Sequence, residues 1–204
     1  WRAVEFGNKH DVLLAQALGY EFLGENTVNA GDWQKALEYA ACEREIAQRL
    51  HSRERLSWTY LVTSLAYMAS CDLELAEREI REGKALAESI GEQRLTLLLT
   101  GFLAIMLADL GRFDEALKIA WENYHSAEAL GLLYSRNEGR RCLAHVLFKQ
   151  GELDETLRLC DEIRELLSEG KSRITHLWLG PLHIEALFLS GRREEASQRL
   201  VGYE

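Results

Sequence analysis

The chain has 204 residues, 47% of them hydrophobic, enough for one sizeable domain with a continuous core. Its formal net charge of −9 argues against a general nucleic-acid or anionic-membrane surface, since both need a basic footprint. Proline occurs once and Gly-Pro-Ser tracts are absent, so residues 1–204 read as a single domain without a flexible linker.

The N-terminus, Trp1-Arg2-Ala3-Val4, lacks the charged-then-apolar layout of a signal peptide. It does not begin with Met, and Val4-Glu5-Phe6-Gly7 is like the later helix ends Ser89-Ile90-Gly91 and Ala129-Leu130-Gly131. The expectation is a piece of a longer protein, entered in mid-pattern. A helix over about 11–30 then runs into the turn Gly31-Asp32-Trp33-Gln34-Lys35-Ala36. Related turns follow at Cys71-Asp72-Leu73, Gly111-Arg112-Phe113, Gly151-Glu152-Leu153 and Gly191-Arg192-Arg193. The first residues of these turns are 31, 71, 111, 151 and 191, a period of 40 residues. A period in the range of about 20–50 residues signals stacked structural repeats.

Between two turns the apolar residues step by three and four: Phe113, Ala116, Leu117, Ala120, Trp121, Tyr124, Ala127, Leu130. That spacing is one face of an α-helix, and Gly131 offers the left-handed stop that ends it. Each unit is therefore two helices. Outgoing helices start near Trp33, Leu73, Phe113, Leu153 and Arg193; incoming helices cover about 11–30, 53–70, 93–110, 133–149 and 174–190. Strand signals are missing. The longest apolar stretch, Leu95 to Leu107, is too short to span a bilayer and reads as a core helix.

Small residues recur seven before each turn (Gly24, Ser64, Ala104, Ala144) and five after it (Ala36, Ala76, Ala116, Thr156, Ala196). They are expected where the two helices of one unit touch. Two positions break the pattern. Cys71 stands where the other turns have Gly, so that turn must tolerate a Cβ. Pro181 sits inside the last incoming helix, where a kink or a late start is expected.

Tyr20, Leu23, Gly24, Gly31, Asp32, Trp33 and Ala36 follow the order of the tetratricopeptide repeat, and Tyr60, Ser64, Asp72, Leu73 and Ala76 follow it less completely. The chain resembles that family over nearly its whole length. It departs from the usual form by its longer repeat and by units that end in Leu-Gly or Ile-Gly rather than Pro. In this it is similar to the long tetratricopeptide-like repeats beside bacterial signalling ATPases, nucleotide cyclases and transcription activators. The resemblance implies an all-α, right-handed α-solenoid of about five helix-turn-helix repeats. HEAT repeats share the period but lack the Gly-Asp-Leu-x-x-Ala turn.

Enzyme signatures are absent: no phosphate-binding Gly loop, no His-Glu-x-x-His, no Gly-x-Ser-x-Gly and no paired Cys-x-x-Cys. No catalytic residue, cofactor or metal site is expected. Cys142 with His145, and His176 with His183, have spacings that could offer two ligands each, but neither has a second pair to complete a site. Cys142 is expected to pack inward. Cys42, Cys71, Cys142 and Cys160 show no disulfide spacing and read as reduced thiols, which suits a cytoplasmic protein. The carboxylate pairs Glu21/Glu25 and Glu194/Glu195 are read as solvated helix faces.

What the resemblance offers is a concave face lined by the incoming helices. Carried over residue by residue, it implies ligand-facing positions at Glu21, Glu25 and Asn29; at Trp58, Leu61 and Leu65; and at Arg141, His145 and Lys149. From Asn137 the last group steps by four as one basic stripe, Asn137-Arg141-His145-Lys149. Trp178 and Asp109 belong to the same set. The expected function is a protein- or peptide-binding scaffold, the regulatory module of a larger bacterial signalling or transcription-regulating protein, with no direct nucleic-acid or membrane contact. For Trp58, Leu61 and Leu65 the plainer reading is packing between repeats, and for the charged positions it is a solvated face. A small-molecule inducer sensor and a homo-oligomerisation scaffold, such as a homodimer, stay open as alternatives.

Overall fold

The computed structural model describes residues 1–170 and 173–201, with side chains described for 1–166 and 179–201. Among the described residues it is all-α, with eleven helices and no strand. The chain divides into two compact units, Trp1–Leu99 and Thr100–Glu204. The first holds α1 (Arg2–His10), α2 (Leu13–Asn29), α3 (Trp33–Arg49), α4 (Arg53–Ala69) and α5 (Leu73–Ser89). The dividing point lies in α6 (Gln93–Asp109). The second unit continues with α7 (Phe113–Leu130), α8 (Leu133–Gln150), α9 (Leu153–Gly170), α10 (Arg173–Leu189) and α11 (Arg193–Val201). From α1 to α5, and again from α7 to α11, helices consecutive in sequence pack on one another, and α2 also packs on α4, as α8 does on α10. The incoming helices α2 and α4 of the first unit, and α8 and α10 of the second, therefore stand side by side as a row, termed inner after the face the repeat implies. The outgoing helices begin at the residues their turns predict.

The turns explain the period. Gly31 has φ 82°, its N–H donates to Val28 O, and the next N–H, of Asp32, donates to Thr27 O. These paired bonds close the last helical turn around a left-handed residue. Asp32 then caps α3 by accepting from Lys35 N at 3.1 Å. Two residues thus end one helix and start the next. The same bonding recurs at Cys71, Gly111, Gly151 and Gly191. It recurs again half a period later, at His51 and Gly91. Left-handed residues therefore stand at 11, 31, 51, 71, 91, 111, 131, 151 and 191 among the described residues. Three of them, Asp11, His51 and Cys71, are not glycine. The first helix ends at Asp11 and not at Gly7, because Gly7 is buried against Gln16 and is used for close packing.

Both small-residue columns are buried, and Thr156 Oγ1 reaches Ala144 O at 3.4 Å where α8 meets α9. Gly24 also serves a contact between repeats. A Cβ there would lie 2.5 Å from Val62 Cγ1 of α4, so Gly24 lets successive inner helices approach and not only the two helices of a pair. Pro181 lies within α10, which begins at Arg173; the helix does not start late. His176 and Trp178 have side chains outside the described residues.

Gly24→Ala is expected to cost about 1–3 kcal/mol through overpacking, and Val62→Ala in that background should return part of it. Cys71→Gly, which relieves φ 61°, should gain about 0.5–1 kcal/mol. Urea unfolding of the variants checks both signs.

Candidate functional site

The inner helices carry charge where a core would be apolar. In the first unit Glu21 of α2 and Arg55 of α4 are both buried, and Arg55 Nη1 donates to Glu21 Oε2 at 2.5 Å. The same Nη1 stands 3.8 Å from Glu43 Oε1 of α3. Glu43 is 0% exposed, and neither of its oxygens has a hydrogen-bond partner. Arg55 therefore hydrogen-bonds Glu21 and meets Glu43 only as a looser ion pair. Glu25, one turn beyond Glu21, is half-buried beside them. The Trp58 ring, itself buried, lies under two guanidinium groups, Arg55 at 5.8 Å and Arg94 at 5.2 Å.

Burial pushes the Glu43 carboxyl up to about 8, with the Glu21 charge adding to the rise and Arg55 opposing it. Burial also lifts Glu25, to about 7, again reinforced by Glu21 and opposed by Arg94. Glu21 and Glu25 are thus not a solvated pair. They belong to a buried cluster in which Glu25 and Glu43 hold protons near neutral pH.

Of the other first-unit positions, Leu61 is buried, Leu65 is half-buried and Asn29 is exposed. Two of the important residues carry no mark in the family pattern. Glu43 could have been found from its own helix. Ala36, Ala40, Glu43 and Ala47 share one buried face, so a carboxylate sits in a column of small side chains. One and two periods on, that column holds Gly83 and Asn123. Arg55 offered no such signal, because a basic residue in the first turn of a helix usually faces water.

In the second unit the basic stripe is present but neutralised at its root. Asn137 and Arg141 are buried. Arg141 Nη2 pairs with Glu138 Oε2 at 2.8 Å, and its guanidinium lies 5.6 Å from the centre of the Phe102 ring. Cys142 packs inward beside it, and burial pushes its thiol up to about 12, too high for a nucleophile at neutral pH. Nearer the helix end, Asp109 Oδ1 accepts from Lys149 Nζ at 2.9 Å and lies 3.3 Å from His145 Nε2. Partial burial would raise Asp109, but the bonds from His145 and Lys149 together hold it below the usual carboxylate range. His145 and Lys149 keep 24% and 40% of their side-chain surface open, so they are reachable where Arg141 is not.

A separate cluster joins α9, α10 and α11. His183 Nε2 and Arg199 Nη2 each lie 3.6 Å from Asp161 Oδ1. Burial, with the Arg199 charge, lowers His183 to about 4. Among the described residues no group of three His, Cys, Asp or Glu side chains could hold a metal ion, and no helix is long and apolar enough to cross a membrane.

Between about pH 6.5 and 8 the folded chain holds protons on Glu43 and Glu25 that the unfolded chain has released. Their stabilisation is complete below the ordinary 4.5 and is lost as pH rises through about 7 and 8. His183 has the opposite slope, but only below its ordinary 6.5. The urea midpoint should therefore fall from about pH 6.5 to 8, and Glu43→Gln should flatten that fall. A wild-type midpoint that stays level across this range would contradict the buried-proton account.

No protein-family model and no curated protein sequence matches the chain. Solved structures do. Aspartyl phosphate phosphatase F from Bacillus subtilis aligns with a TM-score of 0.70 at 16% identity, over 90% of this chain and 48% of that one. BtubC (BKLC) from P. vanneervenii aligns at 0.70 and 15%, over 99% of this chain and 87% of that one. A Signal Transduction ATPase with Numerous Domains from Pyrococcus horikoshii, with a tetratricopeptide repeat sensor, aligns at 0.67 and 10%, over 98% of this chain and 32% of that one. At such identities the likeness is one of fold, and the fold of this chain is that of the tetratricopeptide-like repeat solenoids.

Proposed function

We infer that the chain is a non-catalytic protein- or peptide-binding scaffold, and that it serves as the regulatory module of a larger cytoplasmic signalling or transcription-regulating protein. The observation that carries this reading is the layout of charge on the inner helices. Buried roots (Glu21 with Arg55, Arg141 with Glu138) fix the backbone row, and reachable tips (Glu25, His145, Lys149) stand beside them. Within each unit such a row is fixed before a ligand arrives, which lowers the ordering cost of binding an extended or helical segment there. Trp58, Leu61, Asn137 and Arg141 support the surface from beneath. Glu25, Asn29, Leu65, His145 and Lys149 make the contacts. The tetratricopeptide repeat sensor of the Pyrococcus horikoshii ATPase supports the regulatory role.

Selection of peptides from a displayed random library should enrich binders to the intact chain. The Lys149→Glu variant, with unchanged circular dichroism, should bind those that contact the second unit about tenfold more weakly. Equal affinity of every selected peptide for wild type and for Lys149→Glu, Leu65→Glu and Glu25→Gln would remove the inner helices from the reading. Light scattering at the same concentrations reads homodimer formation directly.

A further inference from the structure

The first-unit cluster is short of positive charge. Glu21 and Glu25 come from α2, Glu43 from α3 and Arg55 from α4, and Arg55 hydrogen-bonds Glu21 and stands in looser ion-pair range of Glu43. Arg44, also on α3, is turned to Glu79 of α5 at 3.0 Å. Arg94 of α6 lies over Trp58, and its charge favours the ionised form of Glu25. Glu43 is wholly buried with neither oxygen hydrogen-bonded, and its ion pair, at 3.8 Å, is to the same Arg55 that Glu21 already holds. Glu25 makes no ion pair among the described residues and is the one carboxylate of the three open to a ligand. A buried carboxylate in deficit can be relieved by a proton or by a cation. An anionic or apolar group offers neither.

We propose that Glu25, backed by Glu21 and Glu43, seats a basic side chain, lysine or arginine, of a bound peptide. The seat rests on the peptide-binding reading above and adds the charge of the ligand at this end of α2. The incoming cation takes the place of the proton on Glu25, which leaves to solvent, so binding releases protons near neutral pH. Arg55 stays with Glu21, and Glu43 remains protonated behind it.

Blocked single residues isolate the seat from peptide recognition. Acetyl-arginine amide and acetyl-lysine amide are titrated into the chain carrying carboxyl-labelled glutamate, with acetyl-norleucine amide and acetyl-glutamate amide as controls. The basic probes should move the Glu25 carboxyl resonance and lower its titration midpoint towards the ordinary range, and the controls should do neither. Glu25→Gln should weaken the basic probes about tenfold. Glu43→Gln should keep their binding, because the seat itself remains. An unmoved Glu25 resonance in the wild-type chain, or equal shifts with norleucine amide, would overturn the proposal without any variant having to fold. A chain that seats the arginine probe but selects no peptide loses the scaffold reading and keeps the seat. One that selects only acidic or neutral peptides, with Glu25 unmoved, keeps the scaffold and loses the seat.

Discussion

A left-handed residue at intervals of twenty positions, from Asp11 to Gly151 and again at Gly191 among the described residues, is the constraint on which the other features depend. It ends a helix in two residues and points the chain back along the helix it has just left. Glycine meets the requirement without strain at Gly31, Gly111 and Gly151, where a Cβ would meet nothing and only the backbone angle matters. Asp11, His51 and Cys71 meet it against their own preference. That the turn holds there shows that packing of the flanking helices, and not glycine alone, sets the reversal.

Fixed turns fix the register, and the register gives each position in the repeat a fixed neighbour. One column of the outgoing helices faces the core at its narrowest point, with Ala36, Ala76, Ala116, Thr156 and Ala196. Another, seven residues on, is Glu43, Gly83, Asn123 and Ile163, and every member is buried. A repeat protein tolerates such variety because each column residue meets only its local neighbours. Gly83 makes room for Tyr60, and Glu43 meets Arg55 and Glu21. The scaffold is constant, and the chemistry in each gap is chosen separately.

Charge on the inner row follows the same logic. Glu21 and Arg141 are equivalent positions three periods apart with opposite signs, and each is neutralised by a buried partner. Burying an ion pair seldom adds net stability, so such pairs are better understood as devices that hold a surface in one arrangement. Around Glu21 the neutralisation is incomplete, and protons supply the remainder.

The sequence by itself determined the repeat, the helices and their starting residues. Turn chemistry and apolar spacing are local, and five copies of the same pattern average out exceptions such as Cys71 and Pro181. It also placed the inner-row residues on their helices. Tertiary structure alone decided which of them are reachable. Arg141 and Lys149 look alike in the stripe, yet one is buried against Glu138 and the other reaches towards solvent with its amine on Asp109. The Glu21/Glu25 pair looked like a wet helix face until α3 brought Glu43, and α4 brought Arg55, against it. Burial and pairing depend on side chains from helices tens of residues away. A periodic pattern records which face a residue is on, and not what is packed against that face.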